Sequence, residues 1–390
     1  MPSSSLVRLP SIDLFTGVGG LTLGLNSVFR SIVYCELDPY CRDVLTARMR
    51  DGSLPCAPIH DDVTTLNLSD DCGARALVAG FPCQDVSVMG KRAGIVVGRR
   101  SSLFFQVLRI LDEVPSIDVV FLENVENIVR FGLREVLTEL TKLGFVCRWT
   151  VVSASECGSP QVRKRLFLLA TRNGFDASCW QDVQVSGDVM AHWTKPAPRQ
   201  VSVRPGFGRD VTYDAENRNK RYTSLCNVVV PQQAALAFAM LVRMEAVVMP
   251  STIKRRLSTT SAPLTTTGFV GGDGIWVPCD RPQPPPPSEH EFSATVVREG
   301  KRRRVTSLPT PVNVGRSARA CADLKGHEMA NISSHVVHSE ETKRWVRTQI
   351  GRGVEPHKAV SLNIEFLEHV MGLPIGWSAR VQKVICEASN

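Results

Sequence analysis

The stretch SIDLFTGVGG, residues 11–20, decides the fold class of this chain. It opens as a short, largely apolar run, and glycines follow at positions 17, 19 and 20. A strand that ends in closely spaced glycines is typical of the first strand of a doubly wound α/β sheet, where bare backbone comes close to a nucleotide-like ligand. Glycine turns after strands also serve packing alone, so this interpretation needs support from the rest of the sequence.

The next strand-like run supplies that support, because it ends at Glu36. In a doubly wound sheet, an acid about 20 residues after the glycines binds a ribose. Leu23 stands where the dinucleotide pattern requires a third glycine, so a ligand with ribose and adenine but no pyrophosphate fits better, which indicates S-adenosylmethionine. Asp62 follows the third predicted strand and could accept a hydrogen bond from an exocyclic amine of the ligand, or it could simply form a turn.

Short apolar runs alternate with helical patterns through the first half of the chain, which predicts a parallel sheet with crossover helices. The predicted strands are residues 11–15, 32–36, 76–81, 119–123, 146–153 and 165–170. Apolar residues recur at helical spacing from Leu103 to Leu111 and from Leu133 to Leu143, and a long apolar helix is predicted over 232–248. We therefore expect an α/β catalytic domain over 1–248, completed by 361–380, and a smaller loop-rich lobe over 249–360.

Net charge and composition limit the possible partners. The chain has 390 residues, a formal net charge of +8 and basic runs at 254–256 and 301–304. These runs fit a polyanionic partner, although a solvated face or a localisation signal would look the same. We expect no apolar run long enough to span a bilayer and no signal peptide, hence an intracellular protein. The 12 cysteines form no CxxC pair, so neither a metal site nor a disulfide framework is indicated.

Three motifs carry residues suited to catalysis. Cys83, in GFPCQ, opens a loop after a strand, and Pro82 fixes the backbone before it; a presented nucleophile and a structural cysteine are both compatible with this position. Glu123 ends another apolar strand, where a charge is costly unless it has a task. Gln161, Arg163 and Arg165 alternate into a strand, so their side chains should share one face beside the thiol and the carboxylate.

Together these motifs resemble the signature set of the cytosine-5 DNA methyltransferases, in that family's order and at compatible spacing. The matching segments are Phe-x-Gly-x-Gly at 15–19, Gly-Phe-Pro-Cys-Gln at 80–84, GRRSSLFF at 98–105, Glu-Asn-Val at 123–125, Gln-x-Arg-x-Arg at 161–165, RYTSLCNVVVPQQA at 221–234 and LNIEFLEHVMGLPIGWS at 362–378. The resemblance covers roughly residues 1–172, 202–248 and 361–380. It implies a Rossmann-like methyltransferase sheet, S-adenosyl-L-methionine as cofactor, double-stranded DNA as substrate, no metal, and a monomer.

The resemblance also implies roles for individual residues. Cys83 would add to C6 of a flipped-out cytosine, Glu123 would act at N3 of the base, and Arg163, Arg165 and Gln161 would complete the catalytic set. The residues implied for the cofactor are Phe15, Gly17, Gly19, Glu36, Asp62, Pro82 and Asn227. A transfer-RNA cytosine methyltransferase and a catalytically silent DNA-binding relative remain the alternatives. The compartment would be the nucleus in a eukaryotic host and the cytoplasm in a bacterial one.

Three departures from the family pattern stand out. Cys226 occupies the position of a usual glycine before Asn227, and Leu37 follows Glu36 where an aromatic residue often stacks on adenine. The CNVVVP segment also precedes the LNIEFLEHVMG segment, which reverses the common order. Only residues 173–201 remain at the usual recognition position, so we expect 250–360 to face the DNA.

Overall fold

We analysed a computed structural model of the chain. It describes residues 8–82, 103–177, 180, 191–198, 200–204, 217–244, 255–256, 264–271, 274–279, 340–349 and 355–379. Cys83, Gln84 and the basic run 301–304 lie outside the described residues.

The described elements alternate between strand and helix through the first half of the chain, as predicted. The strands are β1 Leu9–Leu14, β2 Phe29–Cys35, β3 Ile59–His60, β4 Ala76–Ala79, β5 Val119–Val125, β6 Phe145–Ser153, β7 Lys164–Arg172, β8 Val201–Val203, β9 Arg255–Arg256, β10 Thr267–Val270, β11 Ile275–Pro278 and β12 Val360–Leu362. The α-helices are α1 Gly20–Leu25, α2 Pro39–Arg50, α3 Leu103–Glu113, α4 Ile128–Phe131, α5 Leu133–Lys142, α6 Arg218–Asn227, α7 Pro231–Val242, α8 Glu340–Gln349, α9 Pro356–Ala359 and α10 Ile364–Val370.

One mixed sheet forms the centre of the protein, with strand order β3-β2-β1-β4-β5-β7-β6-β10-β11-β9. The strands from β3 to β5 are parallel, and β7, β6, β10, β11 and β9 continue the sheet with antiparallel pairings. The order reverses between β1 and β4, so the carboxyl ends of these parallel strands meet at one edge. The predicted α/β class with a Rossmann-like sheet is confirmed, and the predicted parallel arrangement holds for β3 to β5, whereas β7 and β6 run antiparallel.

Helices cover both faces of the sheet. Successive residues of a strand point to opposite faces, so the apolar strands carry apolar side chains on both. In β5, Val120 and Leu122 pack in a core with α3 and α5, whereas Val119 and Phe121 pack in a second core with α1 and α7. The apolar residues predicted on the inner faces of α3 and α5 lie in the first of these cores. The parallel strands are therefore buried on both sides, as their nearly continuous apolar runs require.

Part of the segment 249–360, where we expect a loop-rich lobe, is described and forms strands. Strand β10 pairs with β6 through partners such as Phe269 and Arg148, and β11 and β9 follow it outward. These strands extend the catalytic sheet because β6 would otherwise leave an unpaired edge of backbone N–H and C=O groups. Gly268 has no Cβ and lets the ring of Trp149 pack against its backbone; an added Cβ would lie 2.3 Å from that ring.

The last described residues form a third core against α2. Val346 of α8, Leu362 of β12 and Leu367 of α10 pack there with Val44 and Leu45. Strand β12 pairs with β8 in a separate two-stranded sheet. The segment predicted to complete the domain, 361–380, is thus helical and then turn-like in its described part, and the end of the predicted lobe joins it in the same core.

One segment is longer and more apolar than we expect from the sequence analysis, which predicts no run long enough to span a bilayer. Arg218–Val242 is long and apolar enough to cross a membrane by length and composition, and 89% of its most apolar window is buried inside the protein. The extended residues Val228 and Val230 interrupt the segment between α6 and α7. Burial against the sheet is what the core helix of a folded domain shows.

Candidate active site

The glycines after β1 shape the turn at residues 15–20, which we call the cofactor turn. Phe15, Gly17 and Gly19 adopt positive φ values of 56°, 58° and 87°. That region is readily open to glycine and unfavourable for phenylalanine, so Phe15 holds a strained conformation. A Cβ built on Gly17 would meet nothing within 4 Å. The turn therefore presents open space at Gly17, which suits a ligand lying against bare backbone.

Glu36 lies directly beside this turn, one residue after β2. Its Oε2 accepts a hydrogen bond from Gly17 N at 2.6 Å, and its Oε1 accepts one from Asp38 N at 2.8 Å. Burial raises the pKa of this carboxyl group, and the two backbone hydrogen bonds oppose the rise. A carboxylate with hydrogen-bond capacity left beside bare backbone matches the diol of a ribose, so the residues present fit the adenosyl part of the cofactor.

Two residues near the predicted adenine position, Asp62 and Leu37, show weaker evidence of a ligand site than Glu36 does. Asp62 Oδ1 accepts hydrogen bonds from Thr64 N and Thr64 Oγ1, both at 2.8 Å, and these bonds lower the pKa of Asp62. Asp62 thus forms a turn, which is the alternative to a ligand contact that the sequence left open for it. Leu37 is 72% exposed, so its side chain is accessible to an adenine ring.

Glu123 is the buried charge at the carboxyl end of β5. Its Oε1 forms an ion pair with Arg165 Nε at 3.1 Å, and a Cβ built on Gly80 would lie 3.3 Å from its Oε2. Burial raises the pKa of Glu123, although Arg165 and Arg163 oppose the rise. Gly80 starts the GFPC segment after β4, so the carboxylate lies beside the chain that leads to Cys83.

Asn124 fixes the start of that segment. Its Nδ2 donates to the carbonyl oxygen of Phe81 at 3.0 Å, in a buried position. Pro82, the next residue, is exposed. The chain just before Cys83 is therefore anchored at Phe81 and exposed at Pro82.

The three alternating residues of the predicted cationic face have different partners. Only Arg165 pairs directly with Glu123. Arg163 is buried and donates to the carbonyl oxygens of Cys226 at 3.2 Å and Val228 at 3.0 Å, and burial together with the charge of Arg165 lowers its pKa to about 9. Gln161 is fully buried and donates through Nε2 to Val370 O at 3.1 Å.

These contacts show where Asn227 and Cys226 lie. Arg163 binds the carbonyl groups on either side of Asn227, whose side chain is exposed. Cys226 is a buried residue of α6, in ordinary helical backbone, so glycine is not needed for the conformation at this position. Next to it, a Cβ on Gly20 would lie 2.3 Å from Val229 O, so this segment packs directly on the start of α1.

Sequence analysis missed three buried polar residues around the site. Asp13 accepts hydrogen bonds from the hydroxyl groups of Ser11, Thr22 and Ser31 under the cofactor turn. Gln233 of α7 donates to Val152 O and Arg163 O, both at 2.7 Å. Trp377 donates to Val18 O. For Asp13 and Gln233 the available signal was a polar residue inside an apolar run, which is costly without partners.

Comparison with known proteins identifies the family of the chain. The model of the family described as "C-5 cytosine-specific DNA methylase" matches residues 9–226, more than half of the chain. The chain belongs to this family. The resemblance read from its motifs is confirmed, and the match covers Glu36, Glu123 and Arg165.

Individual relatives match over shorter stretches. The type II methyltransferase M.BsuFI of Bacillus subtilis is 34% identical over 42% of this chain and 39% of its own length. The type II methyltransferase M.HhaI of Haemophilus parahaemolyticus is 34% identical over 45% of this chain and 53% of its own length. Among solved structures, the S. pombe Dnmt2 methyltransferase is similar at 21% identity, with a TM-score of 0.36 over 44% of this chain and 51% of that one. The chain thus spans about half or less of the length of these relatives.

Proposed function

We propose that this protein transfers a methyl group from S-adenosyl-L-methionine to C5 of a flipped-out cytosine in DNA. The observation that carries the proposal is the position of Glu123, a buried acid of raised pKa held by Arg165 and in contact with the segment that leads to Cys83. Family membership supports the same chemistry.

The cofactor turn and Glu36 would hold the cofactor. Gly17 brings bare backbone to it, Gly19 supplies the positive φ of the turn and leaves room for Leu54, and Glu36 accepts hydrogen bonds from the ribose. Phe15, Asp62, Pro82 and Asn227 would make the remaining contacts. When bound, S-adenosyl-L-methionine supplies an electrophilic methyl group. The protein must supply everything else, because C5 of cytosine is too weak a nucleophile to take that group unaided.

Glu123 activates the base. In its protonated form it donates a hydrogen bond to N3, which draws electrons from the ring and makes C6 electrophilic. Burial favours the protonated form because an ionised carboxylate loses its hydration there. Arg165 holds the acid in place, and its charge stabilises the electron-rich adduct. Arg163 holds the neighbouring segment in place, because it donates hydrogen bonds to the carbonyl groups on either side of Asn227.

Cys83 provides the nucleophile. Its thiolate forms a bond to C6, and the electrons of the C5–C6 double bond then make C5 able to accept the methyl group. A base removes the proton from C5, the double bond returns and the bond from Cys83 to C6 breaks, which restores the thiolate. Because C5 and C6 are unreachable in a stacked duplex, the cytosine must leave the helix.

We propose double-stranded DNA as the substrate, a monomer as the working form and an intracellular site of action, nuclear if the host is eukaryotic. The basic residues of 249–360 would bind the phosphates, and side chains of the same region would select the sequence.

The test is methylation with labelled S-adenosyl-L-methionine on duplex DNA and, separately, on transfer RNA, followed by mapping of methylated cytosines. Label in DNA supports the proposal, and label only in transfer RNA contradicts it. DNA containing 5-fluorocytosine should trap the wild-type protein covalently, because fluorine cannot leave as the proton does.

Two cysteine variants assign the covalent bond. Cys83→Ala should abolish trapping and methyl transfer and leave cofactor binding intact. Cys56→Ala removes an exposed cysteine and should behave as the wild type. Trapping that survives in Cys83→Ala would remove Cys83 from its role.

A further inference from the structure

We infer that Trp377 is a positioning residue that holds the cofactor turn in its binding shape. The inference rests on the proposed function, since it concerns the site where we place S-adenosyl-L-methionine. Trp377 lies 359 positions from Val18 in sequence, yet its indole Nε1 donates to Val18 O at 2.7 Å.

The position of this hydrogen bond within the turn explains its effect. Val18 lies between Gly17 and Gly19, which both adopt positive φ. Glycine pairs in that region have many alternative conformations in a free loop, so the shape needs external contacts. The indole binds the carbonyl group of residue 18 in the middle of the turn, and this bond adds to the turn's own hydrogen bond from Gly19 N to Thr16 O at 3.0 Å.

Glu36 holds the same turn from the other side, and this makes the indole more important. The Glu36 carboxylate accepts from Gly17 N at 2.6 Å and must also accept from the ribose in our proposal. The Trp377 hydrogen bond holds the turn independently of Glu36, because the indole contacts the carbonyl side of the turn and Glu36 contacts an N–H group.

Trp377 is itself held firmly. It is 1% exposed, and Glu368 of α10 accepts hydrogen bonds from the backbone N–H groups of Gly376 at 2.6 Å and Ser378 at 2.8 Å. Arg48 of α2 lies over the indole ring, with its guanidinium carbon 5.6 Å from the centroid. A donor fixed on both sides loses little entropy when it binds the turn.

The experiment compares two variants that each remove one buried hydrogen bond near this segment. Trp377→Phe removes the indole N–H and keeps an aromatic ring. Tyr40→Phe removes the hydrogen bond from Tyr40 to Ser378 O, which is 2.8 Å long and does not involve the cofactor turn. Cofactor affinity is measured by calorimetry with S-adenosylmethionine, and backbone hydrogen exchange is measured for peptides covering residues 15–25.

We expect Trp377→Phe to weaken cofactor binding about fivefold to tenfold, the effect of leaving one buried carbonyl group unpaired. Exchange at residues 17–20 should be faster than in the wild type. Tyr40→Phe should change the affinity less than about twofold even if it lowers the unfolding temperature by a similar amount. Equal affinity losses in the two variants would show a general structural effect and overturn the inference.

Two further results separate this inference from the proposed function. If the wild type binds no cofactor, the proposed function fails, and hydrogen exchange still decides whether Trp377 holds the turn. If Trp377→Phe does not fold, benzothienylalanine at position 377 removes the N–H group and keeps the shape of the indole. Unchanged exchange at residues 17–20 in that variant overturns the inference, and faster exchange supports it.

Discussion

At the scale of single residues, the site depends on acids near the carboxyl ends of strands. Glu36 follows β2 and is partly buried, Glu123 lies in β5 and is buried, and desolvation raises the pKa of both. Their neighbours differ: Glu36 accepts from backbone N–H groups, whereas Glu123 pairs with Arg165. This difference suits the two tasks we propose, because one acid binds a neutral diol and the other delivers a proton.

Replacing Glu123 by Gln should lower the single-turnover rate by about 10²- to 10⁴-fold, the usual contribution of a positioned acid. The protonated form of Glu123 is the active one, so the wild-type rate should fall as pH rises through its pKa, which lies above the ordinary value of 4.5. Glu123→Gln should lose that fall.

The matched control for this prediction is Glu126→Gln. Glu126 is 41% exposed and lies 3.6 Å from Lys164, on the same segment of chain. Its variant should keep the wild-type pH profile. A Glu123→Gln enzyme with the wild-type rate and profile would exclude Glu123 as the acid.

Glu36→Ala should weaken cofactor binding by about 1–3 kcal/mol, because it removes the acceptor that we assign to the ribose and the hydrogen bond that holds Gly17 N. The chemical step should be retained at saturating cofactor, since Glu36 follows β2 and Glu123 lies on β5, with β1 and β4 between these strands. Calorimetric titration checks the affinity, and single-turnover rates at high cofactor concentration check the chemistry. Unchanged affinity would contradict the ribose assignment.

At the scale of elements, a buried ion pair joins two helices that are distant in sequence. Arg221 of α6 contacts Glu368 of α10 at 3.0 Å, and Glu368 is completely buried. Glu368 also accepts from backbone groups of the turn that carries Trp377. The pair therefore fixes how the reversed segments, CNVVVP and LNIEFLEHVMG, fit together.

Glu368→Gln should lower the free energy of unfolding by about 3 kcal/mol, because it leaves the charge of Arg221 buried without its ionised partner. Adding Arg221→Met should recover part of that loss, since no unpaired charge remains and the amide oxygen still accepts from one of the two backbone N–H groups. Urea unfolding of the single and double variants measures both effects.

A surface pair provides the control for that cycle. Glu139 and Lys142 form an exposed ion pair at 2.7 Å on α5. Glu139→Gln should change stability by less than about 1 kcal/mol. A double variant less stable than Glu368→Gln alone would show that the buried charge is not the source of the loss.

Local pattern was enough to predict the parallel half of the sheet. Val119 to Leu122 and Ala76 to Ala79 are long enough apolar runs to identify β5 and β4, and the acid at the end of β5 then had to lie at the sheet edge. Strands β10 and β11 have four residues each, and β10 pairs with β6 more than a hundred residues earlier. Such short runs carry no signal for their partner strand.

Local pattern likewise predicted some residues of the site but not their partners. Glu36, Glu123 and Arg165 were predicted because they stand at strand ends or alternate along a strand. The partners of Gln161 and Arg163 are backbone carbonyl groups at Val370, Cys226 and Val228. A carbonyl group is present in every residue, so only the folded chain shows which of them a buried side chain binds.

At the scale of the whole molecule, the sheet continues without interruption from the catalytic strands into β10, β11 and β9. Arg255 and Arg256 form β9 at its outer edge. The proposed DNA-binding residues thus begin on the catalytic sheet itself, and the second basic run, 301–304, follows later in the same region of sequence.

Changing Lys301, Arg302, Arg303 and Arg304 to alanine should weaken binding to all duplexes alike, because phosphate contacts carry no sequence information. The plot of log affinity against log salt should become shallower by about 0.9 for each phosphate that is no longer neutralised. Filter binding at several salt concentrations measures the slope.

The double variant Lys142→Ala, Lys358→Ala removes two lysines that are each 63% exposed and pair with nearby glutamates. It should keep the wild-type slope. If the 301–304 variant also keeps it, the basic run is an address or a solvated surface, and recognition returns to residues 173–201.

The two described elements on either side of residues 280–339 have a consequence for recombination. Strand β11 before this stretch is hydrogen-bonded into the sheet, and α8 after it has Val346 fully buried in the third core. Exchange points at 280 and 339 would keep β11, α8 and the core contact of Cys279 within one parent. Chimaeras joined there should inherit their target sequence from one parent and their catalytic domain from the other, so new specificities can arise by transfer of a single gene segment.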